Sequence, residues 1–133
     1  MKKIFYIIPI IALIISLLYS LIYFKNQKAN NLNFPDAVIL PKPDEIAIEP
    51  ETSLEYVKGE IIIGFIKHTD VSTVVKIVQN VGGTIVGSDK RINQYQIRID
   101  NKNISEIRKI IEMLKQNPNV EYAIPSWASL ANG

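Results

Sequence analysis

The stretch NPNVEYAIPSW, Asn117–Trp127, decides how the C-terminal part of this 133-residue chain is built. Pro118 has no backbone N–H and is predicted to end a preceding helix. Large apolar residues then recur at every second position, which is typical of a half-buried strand. These residues are Val120, Tyr122 and Ile124, with Glu121 and Ala123 between them. The stretch therefore predicts a last strand that runs almost to the C-terminus.

The segment that ends at Pro118, NISEIRKIIEMLKQNP, is the strongest helix prediction in the chain. Asn103 is expected to cap this helix, and Glu106, three residues on, can complete a capping box. The apolar residues recur at helical spacing and form one face: Ile104, Ile107, Ile111 and Leu114. We expect that face to pack on a sheet.

Two strands are predicted before this helix. The first is TIVGS, Thr84–Ser88, and the second is YQIRID, Tyr95–Asp100. The second strand alternates, which predicts a buried face and a wet face. The buried face would carry Tyr95, Ile97 and Ile99, and the wet face Gln96, Arg98 and Asp100. Residues 89–94 would join the two strands as a hairpin.

The first strand of the domain is predicted from GEIIIGFIKH, Gly59–His68, an apolar run rich in β-branched residues. The apolar period then changes to that of a helix, with residues at the i, i+3, i+4 and i+7 positions: Val71, Val74, Val75 and Val78. Asp70 or Thr69 can cap the start of this helix, and the pair Gly82-Gly83 can end it.

The predicted order is therefore β-α-β-β-α-β. This order is typical of an α+β, ferredoxin-like sandwich, in which two helices cover one face of a four-stranded antiparallel sheet. The domain is expected over residues 56–127, followed by a C-terminal tail over residues 128–133. Since both helices take the same side, the other face of the sheet must meet water or a partner.

An uncharged apolar run, Ile4–Phe24, precedes the domain. It is long enough for a transmembrane helix, so residues 1–25 are predicted to be a signal anchor. A cleaved signal peptide, which would release a secreted protein, is the competing interpretation. Lys2 and Lys3 favour an N-terminus inside and a C-terminal domain outside the cytoplasm. Residues 26–55, acidic and rich in proline, are predicted to be an extended linker.

The composition offers little chemistry. The chain has no Cys and one His, His68, which is expected to be a solvated loop residue at the end of a strand. No pattern of nucleophile, base or metal ligands is present, so we predict neither an enzyme nor a cofactor or metal site. The net charge of +2 has no clustered basic stripe, which argues against nucleic acid. Nothing in the sequence indicates a small-molecule substrate.

Taken together, these segments resemble the pro-domain of subtilisin-like serine proteases (peptidase S8), of the inhibitor I9 and fervidolysin pro-domain type. The resemblance covers residues 56–127 and rests on GEIIIGFIK, VGGTIVG, YQIRID and above all NPNVEYAIPSW. The positions that fit the family pattern are Gly59, Glu60, Gly82, Gly83, Pro118, Val120, Glu121, Tyr122, Ala123 and Pro125.

The resemblance implies a partner, a subtilisin-like protease, and a role as its inhibitor or intramolecular chaperone. In such domains the free sheet face packs on the protease, and the C-terminal tail lies in the active-site cleft as an added strand. Here the tail would comprise Ser126, Trp127, Ala128, Ser129, Leu130, Ala131, Asn132 and Gly133. Family members also use a carboxylate near the hairpin to cap protease helices, which makes Asp89 a candidate.

Two alternatives stay open from the sequence. The chain can be the N-terminal fragment of a split or truncated protease precursor, because no catalytic segment follows the domain. It can also be a structural envelope protein that uses a ferredoxin-like domain for assembly. Trp127 fits either plain packing at the domain edge or a partner-facing anchor.

Overall fold

The computed structural model describes residues 14–21, 34–100 and 102–128. The chain forms two compact units, Met1–Leu32 and Asn33–Gly133. In the first unit, residues 14–21 are helical (α1). Among the described residues, no helix is both long and apolar enough to cross a membrane. The other residues of the predicted anchor, 1–13 and 22–25, and the start of the predicted linker, 26–33, lie outside the described residues.

The described residues of the second unit form five strands and two α-helices. In chain order they are β1 (Ile46–Ile48), β2 (Glu55–Phe65), α2 (Val71–Asn80), β3 (Thr84–Asp89), β4 (Gln94–Arg98), α3 (Ile104–Lys115) and β5 (Val120–Trp127). All strand pairs are antiparallel. Residues 61–64 of β2 pair with both β4 and β5, and β3 pairs with β4, so the strands lie side by side as β5-β2-β4-β3. The predicted mixed architecture with an antiparallel sheet is confirmed.

The core lies between the sheet and the two helices. It joins alternate residues of β2 and β4 to the apolar faces of α2 and α3, so both helices pack on the same side of the sheet, as predicted. The largest of these side chains is Phe65, which packs edge-to-face on Tyr95 with ring centroids 5.7 Å apart. A sheet face with no helix on it is left on the other side.

The helix ends follow the predicted caps. The Asp70 carboxylate accepts a hydrogen bond from the Thr73 N–H and starts α2. Asn103 and Glu106 form the capping box of α3. Gly82 follows α2 with a φ of +71°, a left-handed conformation that favours glycine, and its N–H donates to the Gln79 carbonyl. Local sequence signals were sufficient here because each cap uses residues within one turn of the helix.

The strand bounds differ from the prediction by one or two residues in β3 and β4 and by more in β2 and β5. β2 begins at Glu55 and ends at Phe65, so His68 lies outside the strand, exposed and at a positive φ of 74°. β5 continues through Pro125 to Trp127 because Trp127 pairs with Tyr56 at the other end of β2. Proline is tolerated at this position because β5 pairs with β2 alone and leaves its other edge free.

The prediction of an extended linker up to residue 55 was wrong for residues 34–55. Residues 43–45 form a 3₁₀ turn, and β1 pairs with the start of β2. Glu49 is buried, and its carboxylate accepts hydrogen bonds from Arg108 on α3 and from Thr52. The prolines did indicate an extended chain, but this chain packs on the domain instead of leaving it.

Candidate protein-docking face

A segment that we call the strap, residues 34–41, lies against the helix-free face of the sheet. The face was predicted to be free for water or a partner. In the structure, the strap binds β3 and β4. Within the described part of the chain, it leaves Ile62 of β2 and Tyr122 and Ile124 of β5 partly exposed. The predicted wet face of β4 is correspondingly wrong at its centre, because Gln96 is only 3% exposed.

Gln96 holds the middle of the strap through its side-chain amide. Its Nε2 donates to the carbonyl oxygen of Ile39 at 2.9 Å, and its Oε1 accepts from the N–H of the same residue at 2.8 Å. Both backbone groups of Ile39 are thereby satisfied without a neighbouring strand. A buried amide with both ends paired fixes its partner's position as well as its own.

The start of the strap is fixed at β3, the last strand on its side of the sheet. The carbonyl oxygen of Pro35 accepts from the Ser88 N–H at 2.9 Å and from the Ser88 hydroxyl at 3.0 Å. This contact uses a backbone donor that an edge strand would otherwise present to other chains. Phe34 packs edge-to-face on Tyr95, with ring centroids 6.3 Å apart, and adds to the core.

The strap approaches the sheet closely at Gly87. A β-carbon on this glycine would stand 2.6 Å from the carbonyl oxygen of Ala37 and 2.7 Å from the Oε1 of Gln96. Any side chain here would push the strap away from the face. Gly87 is therefore required by the strap, which explains a glycine inside β3 that the strand pattern alone does not.

A buried carboxylate, that of Glu60, orients the side-chain amide of Gln96. Glu60 of β2 is almost fully buried and accepts from Gln96 Nε2 at 2.7 Å and from Arg98 at 3.2 Å. Arg98 also forms an ion pair with Glu45 at 3.2 Å, just after the strap. The network joins β2, β4 and the strap, and it gives Glu60, one of the family-motif positions, a structural role.

Beside the strap runs a groove of about 350 Å³, which we call the docking groove. One wall is the strap and the other is the exposed part of β2 and β5. The lining residues are Val38, Ile39, Pro41, Glu60, Ile62, Gln94, Gln96, Tyr122, Ile124, Ser126 and Trp127. Among them Glu60 is the only acidic or basic side chain, and its carboxylate is paired within the fold. The groove therefore presents a mostly apolar surface.

Tyr122 forms the floor of the groove on the β5 side. Its ring lies over Gly64, where a β-carbon would come within 2.2 Å of a ring carbon. Its hydroxyl donates to the Gln94 Oε1 at 2.6 Å, and burial, with a smaller effect of Glu121, raises the pKa of the phenol. Tyr122 was identified only as a motif position, and its structural role depends on the glycine opposite.

The other motif residues serve the fold. Gly59 has a φ of +67° at an irregularity in β2, and Gly82 and Gly83 end α2. Pro118 lies in the turn between α3 and β5. The remaining positions belong to β5: Val120 and Ala123 face the core, Glu121 is exposed and Pro125 pairs with Ile61.

The predicted tail residues fall into two groups. Ser126 and Trp127 belong to β5, and Ser126 and Ala128 are buried in the folded unit. These residues are therefore part of the folded unit. Ser129, Leu130, Ala131, Asn132 and Gly133 lie outside the described residues.

Asp89, the candidate carboxylate for a partner, is already engaged. Arg91 donates to both of its oxygens, at 3.0 and 2.7 Å, and these hydrogen bonds hold the pKa of the Asp89 carboxyl below its ordinary value. The ion pair lies at the end of the hairpin, next to Ser88, which binds the start of the strap. It leaves Asp89 charged, but its oxygens are shared with Arg91.

Sequence reasoning missed the strap and with it Gln96 and Ser88, which bind it. Signals were present: Phe34 and the apolar run Val38-Ile39-Leu40 stand out in an otherwise acidic, proline-rich segment. Within the described part of the chain, no group of three or more His, Cys, Asp or Glu side chains could hold a metal ion.

Comparison with known proteins supports the resemblance to a subtilisin-like pro-domain. The profile of the fervidolysin N-terminal prodomain matches residues 42–126, which is more than half of the chain. A thermophilic serine proteinase of Bacillus sp. (strain AK1) is 29% identical over 119 residues. That alignment covers 89% of this chain but 28% of the proteinase. No solved structure matches the chain. A prodomain is a non-catalytic module, and the chain belongs to the fervidolysin N-terminal prodomain family.

Proposed function

We propose that this chain binds a subtilisin-like serine protease through the helix-free face of its sheet and acts as inhibitor and folding aid. Family membership supports the partner class. The proposal rests mainly on the position at which the match to the family profile ends. It ends at Ser126, within β5, so whatever follows a prodomain of this type leaves the fold beside the docking groove.

The geometry of β5 supports a product-like tail. β5 is an edge strand that pairs with β2 up to Trp127. A chain that continues in the same extended conformation can add to the edge of another sheet through main-chain hydrogen bonds, with alternate side chains in pockets. In this proposal, residues 129–133 lie in the protease cleft, while the uncovered face of β2 and β5 packs on the protease surface.

The proposal does not depend on the protease being a separate molecule. The chain spans 28% of the Bacillus proteinase, in which prodomain and remaining length form one polypeptide. The same face and tail serve a protease joined to residue 133 or one supplied in trans. A location outside the cytoplasm stays a prediction that rests on the apolar run of residues 4–24.

The test uses the full chain and the protease part of the Bacillus proteinase, expressed without its own prodomain region. We expect the full chain to inhibit peptide hydrolysis at micromolar concentration and to increase the yield of active protease on refolding. A variant that lacks residues 129–133 should bind more weakly and inhibit less. No inhibition and no gain in refolding, with a chain shown to be folded, would contradict the proposal.

A further inference from the structure

Three consecutive apolar side chains of the strap are exposed to a large extent. Val38 is 47% exposed, Ile39 44% and Leu40 64%. Single exposed apolar residues are ordinary, but a contiguous group beside an apolar groove marks an interaction surface. These side chains are not needed to hold the strap, because its described anchors are backbone carbonyls, the Ile39 N–H and Phe34.

The strap is held at both ends and in the middle, so it forms a rigid side of the docking groove. Ser88 holds its start, Gln96 its middle and Arg98 binds Glu45 just beyond its end. Buried groups that lost the strap would be left without partners, which is costly. The apolar side chains are therefore presented at defined positions and lose little conformational freedom when a partner binds, a property that raises affinity.

The position of the groove points to one occupant. Its second wall contains Ser126 and Trp127, the last residues of β5, after which a prodomain is followed by its protease. Because the tail leaves the domain beside the groove, the protease surface that binds the tail would lie against the groove. The groove offers no unpaired charge, so the surface that fits it is apolar and uncharged.

We propose that the strap is part of the protease-binding surface, with Val38 and Leu40 making direct apolar contacts to the bound protease. This inference rests on the proposed function and deepens it. The strap precedes residues 42–126, the part matched to the family, so these contacts are added to those of the shared module. They would allow the chain to discriminate between related proteases.

The test measures inhibition of the Bacillus protease part by the full chain and by the variants Val38→Asp and Leu40→Asp. The matched control is Met113→Asp, which places the same charge at a 54% exposed residue of α3, on the helix-covered side of the sheet and therefore away from the strap. All variants are first compared with the parent chain by urea unfolding. We expect each strap variant to inhibit about tenfold or more weakly, and the control to match the parent.

The outcomes separate the two proposals. If the parent chain inhibits and the strap variants inhibit equally well, the strap inference is overturned and the proposed function stands. If the parent chain does not inhibit, both fall. If the strap variants keep full inhibition but lose self-association, or lose binding to phosphatidylcholine–phosphatidylglycerol vesicles, the occupant is a second copy or a membrane, and the inference is likewise overturned.

Discussion

The carbonyl oxygen of Ile99 lies where a side chain on Gly59 would begin. A β-carbon at position 59 would stand 2.4 Å from that oxygen, and the Ile99 N–H donates to the Gly59 carbonyl at 2.7 Å. Gly59 adopts a φ of +67°, at a point where the pairing of β2 with β5 shifts register. Two features therefore require a glycine at position 59, the first glycine of the family pattern. One is its positive φ, and the other is the close approach of the Ile99 backbone.

We therefore expect Gly59→Ala to be severely destabilising. The left-handed conformation alone costs an L-residue about 1–2 kcal/mol, and the overlap with the Ile99 backbone adds to this because neither strand can move freely. Gly82→Ala is the matched control, since Gly82 has a φ of +71° but no atom within 4 Å of the added carbon. Urea unfolding should show a clearly larger loss at position 59. Equal losses of unfolding free energy in the two variants would mean that the overlap with Ile99 is relieved without cost.

Replacing Gln96 by alanine should release the strap. The substitution removes both hydrogen bonds to Ile39 and one to the buried Glu60 carboxylate, so we expect a loss of about 2 kcal/mol or more. Limited proteolysis should then cleave within residues 34–41 in the variant and spare them in the parent. Gln94→Ala, which removes a single hydrogen bond to Tyr122, is the control and should leave the strap protected. If the strap of the Gln96→Ala variant stays uncut, the claim that Gln96 holds the strap on the sheet is contradicted.

Shortening the chain should show where the folded unit begins. A chain that starts at Asn33 keeps the strap, β1 and the buried Glu49, and it should unfold at the same urea concentration as the full chain. A chain that starts at Tyr56 loses all of them and exposes Gln96, Ser88 and Glu60, so it should be markedly less stable. Equal stability of the two fragments would show that residues 33–55 contribute nothing.

The cap of α2 predicts a dependence on pH. Hydrogen bonds from Ser72 and Thr73 lower the pKa of Asp70 from 3.8 to about 2. The folded pKa is depressed, so the cap's contribution is fully present above the unfolded pKa and is lost as the pH falls through about 4 towards 2. Asp70→Ala should cost about 1 kcal/mol at neutral pH, and the difference from the parent should shrink across this window.

The control for this effect is Asp70→Asn, which can still cap the helix but does not titrate. Its stability relative to Asp70→Ala should be constant over the same pH range. Urea unfolding at several pH values measures both. A difference between the parent and Asp70→Ala that does not change with pH would show that the carboxylate is not the titrating group.

The helices and strands that could be predicted are those whose sequence signals lie within the element itself or directly beside it. Asn103 and Glu106 cap α3 from within its first turn, and the valines of α2 form one face because of their spacing. The alternation in NPNVEYAIPSW gave the last strand its type, although its end at Trp127 depended on Tyr56 of another strand. The order of the elements then left few topologies for a sheet with two helices on one side.

Periodicity, caps and motif spacing depend on neighbouring residues, and they predicted the two helices of the domain, strands β2 to β5, their order and the family. They did not predict β1, which lies in a segment that was expected to be a linker. That the strap partly covers the helix-free face, and that a groove lies beside β5, could be seen only in the folded chain. The physical reason lies in the Gln96–Ile39 contact. Its two hydrogen bonds join residues 57 positions apart, and a glutamine on a strand is normally expected to face water. It is buried because a distant, proline-rich segment supplies backbone groups that satisfy it.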